Sequence, residues 1–216
     1  MKKNVLISTI SFVLAIMLVN VFAFASNKEI NSSDNTYYLL GQIDKNNNNF
    51  KFIKDSSCVY AKGKDIVIYK NDINKIVARD KVLNIKKNEE EKNAYDYLVK
   101  QETVYNEAIK SGFSLSDNKV KQEIKKLRET TEKAVNYSDF TVYLSGRGIS
   151  NDQYWEQEFN NIKRDCTINQ YLDNLREKYA KEKNIKQWTN IDLNTWDTYK
   201  INFINNLIDN QNVELN

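Results

Sequence analysis

Residues 150–184 read SNDQYWEQEFNNIKRDCTINQYLDNLREKYAKEKN. The stretch contains neither Gly nor Pro, and it opens on a capping box: Ser150 caps the first turn while Gln153, three residues on, reaches back. Trp155, Phe159, Ile162, Cys166, Leu172, Leu175 and Tyr179 recur at steps of three and four, broken only near Asn169, which is the period of an amphipathic helix. A continuous helix of this length is ~50 Å long, more than a compact domain of this size needs. It therefore spans the molecule or presents a face. The rest of the chain is expected to cover part of the stripe and leave part accessible.

Working outward, the flanking segments repeat helical signals. Asn71 or Asp72 caps a helix carrying Ile73, Ile76, Val77, Val82 and Ile85, and a second runs from about Glu89 to Ser111 with Tyr95, Leu98, Glu102, Tyr105 and Ile109 on one face. Gly112 stands where a left-handed residue closes that helix. Ser116 caps a third, whose inner face holds Val120, Ile124, Leu127 and Val135, and Ser138 caps a short fourth before Gly146 and Gly148 turn the chain into residues 150–184. Beyond residues 185–191, Asp192 or Asn194 caps a last helix with Leu193, Trp196, Phe203, Leu207 and Ile208.

The N-terminal third has a different texture. TYYLLGQI (36–43), DKNNNN (44–49) and FKFI (50–53) read as strand, turn and strand, and CVYAKGKDIVIY (58–69) repeats the pattern around Lys62-Gly63-Lys64. Such short runs need a partner. The β-like tail NVELN at 212–216 is expected to pair with the Val59–Tyr69 hairpin. The fold class is mainly α with a small β element: a helical bundle around one long helix, with an N-terminal hairpin pairing with a C-terminal strand.

Residues 1–25 have the pattern of an export signal or membrane anchor. Lys2 and Lys3 precede a mostly apolar run from Val5 to Phe24, and Ala23-Phe24-Ala25 is a small-x-small site that places cleavage after Ala25. Ser8, Thr9, Ser11 and Asn20 dilute the run, which favours cleavage over an anchor. Either outcome puts the folded part outside the cytoplasm, secreted or tethered to the outer face of the membrane. Residues 26–57 are read as a polar linker and β-hairpin, and 58–216 as the main domain. Export raises the question of Cys58 and Cys166. A bridge closing so long a loop would contribute ~4–5 kcal/mol in the chain-entropy model, yet Cys166 fits equally as a small buried hydrophobe.

Composition excludes several classes. The formal charge of +3 falls to +1 if Lys2 and Lys3 leave with the leader, which gives no reason to expect nucleic acid as a partner. The chain has no histidine, the usual general base near neutral pH and the commonest transition-metal ligand, and no cofactor or metal is expected. Asp44 to Asn49 lack the Gly and terminal Glu of a calcium loop and read as a plain turn. Glu102 reads as a half-buried polar residue touching a neighbouring helix, and Asp152, Glu156 and Glu158 as complements to a helix dipole. Tyr is abundant at 13, beside 9 Phe and 3 Trp. Adjacent Tyr154 and Trp155 cannot share one narrow stripe, and Tyr97 and Tyr171 lie off theirs. With Tyr105, Tyr143 and Trp196 they are the candidate polypeptide-binding aromatics. A rival expectation is that they complete the core.

The stretches 96–129 (DYLVKQETVYNEAIKSGFSLSDNKVKQEIKKLRE) and 140–172 (FTVYLSGRGISNDQYWEQEFNNIKRDCTINQYL) together resemble the SurA N-terminal domain family of exported chaperones and PrsA-type foldases. The likeness is carried by Leu98, Tyr105, Ala108, Gly112, Leu115, Ser116, Asp117, Val120 and Ile124, and covers roughly 58–216 with the closing helix and strand. It implies an ATP-independent chaperone whose partners are unfolded or extended polypeptides. The family's parvulin domain has no counterpart: 185–191 is too short to hold one, and the histidines it uses are missing. The resemblance therefore implies binding without prolyl-isomerase or other enzymatic activity. The alternative is an envelope adaptor using the same fold for one dedicated partner.

Overall fold

The computed structural model describes residues 34–48, 58–83 and 90–216. In chain order these form α1 (Asp34–Asn48), β1 (Val59–Lys62), β2 (Val67–Tyr69), α2 (Lys70–Val82), α3 (Glu90–Lys110), α4 (Asp117–Glu132), α5 (Tyr137–Arg147), α6 (Asn151–Gln157), α7 (Phe159–Glu182), α8 (Asn190–Asp209) and β3 (Glu214–Leu215). The chain is mainly α with one small antiparallel sheet, as its patterning predicts. The expected leader, with Ala23 and Ala25, and the expected strand at 50–53 lie outside the described residues. Among the described residues no helix is long and apolar enough to cross a membrane.

Local signals set several boundaries as expected. At Ser150 both halves of the capping box form, Gln153 N donating to Ser150 Oγ (3.2 Å) and Ser150 N to Gln153 Oε1 (2.8 Å). Ser116 Oγ accepts from Lys119 N at the head of α4, and Gly112 takes φ +82° after α3. The last helix instead starts at a second capping box, Thr189 with Asp192. The helix after β2 begins at Lys70, and α5 at Tyr137, neither with a side-chain cap.

The sheet has the order β2-β1-β3. The tail pairs antiparallel with β1, Ala61 opposite Leu215 and Lys62 opposite Glu214. Gln211 locks the junction: its carbonyl accepts from Lys64 N (2.8 Å) and its side chain from Asp65 N (3.0 Å). The two distant stretches thus close on each other as predicted.

Two expectations are corrected. Residues 36–43 are not a strand but the middle of α1, and Asp44 is a buried helical residue, not part of a turn. Thr and Tyr favour strands, but Tyr37, Leu40, Gly41 and Asp44 fall at helical spacing and dock α1 onto α5 and α2. The stretch 150–184 is also two helices. They meet at Glu158, with Glu158 N still donating to Tyr154 O (2.9 Å) and Ile162 N to Glu158 O (2.8 Å). The Glu158 side chain accepts from Arg147 and Asn161, and the second helix follows the first without a loop.

Two of the core clusters share α7. Val120, Leu127, Phe140, Leu144, Tyr154, Trp155 and Ile162 form one, between α4, α5 and the α6–α7 junction. Val104, Ala108, Ile168, Tyr171 and Ile204 form another, between α3, α7 and α8. Packed against α3 on one flank and α4 on another, α7 buries more than one narrow stripe, including Thr167 and Ile168, which the periodicity did not single out.

Candidate functional site

The seven aromatics singled out from the sequence do not form an open cradle. Tyr154 (6% exposed), Trp155 (5%), Tyr171 (8%) and Trp196 (6%) are core residues. Adjacent Tyr154 and Trp155, both on α6, are buried together in the cluster with Val120, Leu127 and Leu144, each against Phe140. Tyr171 meets Phe113 edge-on at 5.5 Å, and Trp196 joins Tyr179 and Tyr199. Burial pushes the Tyr171 phenol up to about 12. Half-buried Tyr105 lies under the Arg164 guanidinium at 4.7 Å, and Arg164 also pairs with Glu102 at 2.8 Å. Glu102 therefore touches a neighbouring helix as expected. Tyr97 is half-buried, its phenol pushed up to about 12, chiefly by burial.

Tyr143 belongs to a buried polar network that the sequence reading missed. Its hydroxyl donates to Asp44 Oδ2 at 2.5 Å. Asp44 also accepts from Arg79 Nη1 (3.1 and 3.2 Å) and pairs with Lys75 (3.2 Å). Arg147 Nη1 donates to the Tyr143 hydroxyl (3.3 Å) and to Glu158 Oε1 (2.9 Å), and Nη2 donates to Gln157 Oε1 (3.0 Å). Burial raises the Asp44 pKa, but Arg79, Lys75 and the Tyr143 hydroxyl outweigh it and hold the carboxyl below its ordinary value. The chain joins α1, α2, α5 and the α6–α7 junction. The set ties these elements together, although the Nε atoms of Arg79 and Arg147 are buried without a hydrogen-bond partner among the described residues. Its one early signal was the helical spacing of Leu40, Gly41 and Asp44.

Neither Cys58 nor Cys166 is in a disulfide in this structure, and both are half-buried. Cys166 packs against the Val120–Ile162 cluster as a small hydrophobe. Burial pushes its thiol up to about 11. Among the described residues no group of His, Cys, Asp or Glu could hold a metal ion.

Cys166 also borders an open groove of about 520 Å³ between α4 and α7. Phe113, Leu115 and Cys166 supply its apolar part, and Asn169, Gln170 and Asn174 line the α7 side. Lys119, Glu123, Asp173 and Glu177 complete it. Ser116 sets the start of α4, and the Lys163–Asp117 ion pair (2.8 Å) ties that start to α7. An amide side chain both donates and accepts, so three in one wall can meet a polypeptide backbone in either orientation. A second groove of about 580 Å³ between α3 and α8 carries one amide, Asn205, among Tyr95, Asp96, Val99, Lys100, Ile208, Asp209 and Val213. No family model, curated protein or solved structure matches the chain.

Proposed function

We propose that this chain is an exported, ATP-independent chaperone-like protein that holds unfolded or extended polypeptide, without prolyl-isomerase chemistry, in the groove between α4 and α7. One observation carries the reading: an apolar floor of Phe113 and Leu115 beside the amides of Asn169, Gln170 and Asn174. A guest's apolar side chain gains ~25 cal/mol per Å² it buries there. Its backbone exchanges water for side-chain amides, so the contact does not read sequence. Association entropy offsets much of the gain, which keeps binding weak and reversible. The leader-like residues 1–25 and the resemblance of residues 96–129 and 140–172 to the SurA N-terminal family support the same reading. So does the α7–α8 connection, which at residues 183–189 has no space for a parvulin domain.

The test is the aggregation of a chemically unfolded client, followed by light scattering without ATP. Several-fold excess of the protein slows it; no effect at that excess overturns the proposal. One observation favours the adaptor reading as an alternative. Four of the seven aromatics expected to form a broad cradle are spent in the core, leaving a groove sized for one short segment. A single stoichiometric partner on affinity capture from the native host supports the adaptor, and a broad set supports the chaperone.

A further inference from the structure

We infer that the segment accepted by the α4–α7 groove is cationic: an extended peptide whose apolar side chain is flanked by Lys or Arg. The inference rests on the groove reading and adds the chemistry of the guest. Three carboxylates line the groove, Glu123 on α4 and Asp173 and Glu177 on α7, against the single cation Lys119. Glu123 is held by Lys126 at 2.7 Å, whereas Asp173 and Glu177 make no ion pair among the described residues. Residues four apart on a helix lie one above the other, about 6 Å apart between their Cβ atoms. The two free carboxylates therefore form a vertical pair on the wall that carries Asn169, Gln170 and Asn174.

The charge changes sign just beyond. A neighbouring hollow of about 430 Å³ shares Glu177 but is bordered by Lys181 and Lys186. A guest cation is thus drawn to the level of Asp173 and Glu177 and repelled from the end of α7, which gives the groove a preferred register. Each exposed pair contributes little singly, up to roughly fivefold in affinity. Two acting together give about a tenfold preference that salt screens.

The test measures fluorescence anisotropy of three labelled peptides with the full chain. The peptides share alternating apolar residues and differ only in carrying Lys, Gln or Glu between them. At about 20 mM salt the Lys peptide binds roughly tenfold tighter than the Gln peptide, and the gap closes near 300 mM. The double variant Asp173→Asn, Glu177→Gln abolishes the Lys peptide's advantage over the Gln peptide. If the Lys and Gln peptides bind alike, or the Glu peptide binds best, the inference is overturned and the groove reading survives. If none binds, the groove reading falls and takes the inference with it. A dimer in sedimentation that the double variant dissociates puts a second copy of the chain in the groove and likewise overturns the inference.

Discussion

Gly41 and Gly146 let α1 and α5 cross so closely that neither position has room for a side chain. A Cβ on Gly41 would lie 2.2 Å from the Tyr143 carbonyl oxygen, and one on Gly146 would lie 2.1 Å from that of Tyr38. Gln42 Nε2 adds a 2.8 Å bond to the Gly146 carbonyl. Because the obstructing atoms are backbone, relief requires moving a whole helix. Gly146→Ala is predicted to lower stability by ~1–3 kcal/mol and to expose α1 to protease, measured by urea denaturation and limited proteolysis. An unchanged urea midpoint would contradict this crossing.

The same contact delivers Asp44 to its partners, which predicts an acid-sensitive attachment of α1. Its folded pKa lies below the ordinary 3.8, so its contribution is fully present above that value and is lost as pH falls through the folded pKa. Asp44→Ala leaves Arg79 (5% exposed) without its carboxylate and is expected to cost about 3–5 kcal/mol near neutral pH. Below the folded pKa the difference from the parent shrinks. Stability measured against pH for both proteins checks the convergence.

Asp165 predicts the opposite pH behaviour. Burial, only partly offset by Arg164, raises its carboxyl to about 6. The folded state therefore holds this proton more tightly than the unfolded chain, and Asp165 removes stability as pH rises from about 4 to 6. Asp165→Asn is expected to be near neutral at pH 4 and to stabilise the protein by up to ~3 kcal/mol at pH 7. A difference independent of pH would contradict this.

Cys166 gives a chemical test of its packing. With a thiol pKa of about 11, its thiolate fraction at pH 8 is on the order of a hundredfold below that of an unperturbed thiol. In a Cys58→Ser protein, alkylation is predicted to be slow by about that factor and to speed up with pH. A thiol count with and without reductant should return the same number, as two cysteines outside any disulfide require.

What could be read in the chain and what could not divide by range. Ser150 with Gln153, Ser116 and Gly112 announce themselves because a cap or a left-handed turn is settled within a few residues. The tail at Glu214 and Leu215 was legible because a lone β-like run has few partners. Gly41 and Gly146 were opaque: the first reads as part of a strand and the second as a turn residue until the two helices lie beside each other. Asp44 was hidden in an Asn-rich run, and its meaning depends on Arg79 and Tyr143. Tyr154 and Trp155 misled because one narrow stripe cannot bury both, and nothing local signals that α6 is covered over more than a stripe. The groove has no sequence signature at all, since Phe113 and Gln170 become neighbours only once α4 is docked on α7.

The groove as a polypeptide site is tested most directly by photo-crosslinking. Benzoylphenylalanine in place of Gln170, on the groove wall, is compared with the same group in place of Asn202, exposed on α8, each irradiated with an unfolded client. The account predicts client adducts at 170 and none at 202, reduced by competing unlabelled peptide. Adducts at 202 alone, or at neither position, would contradict it.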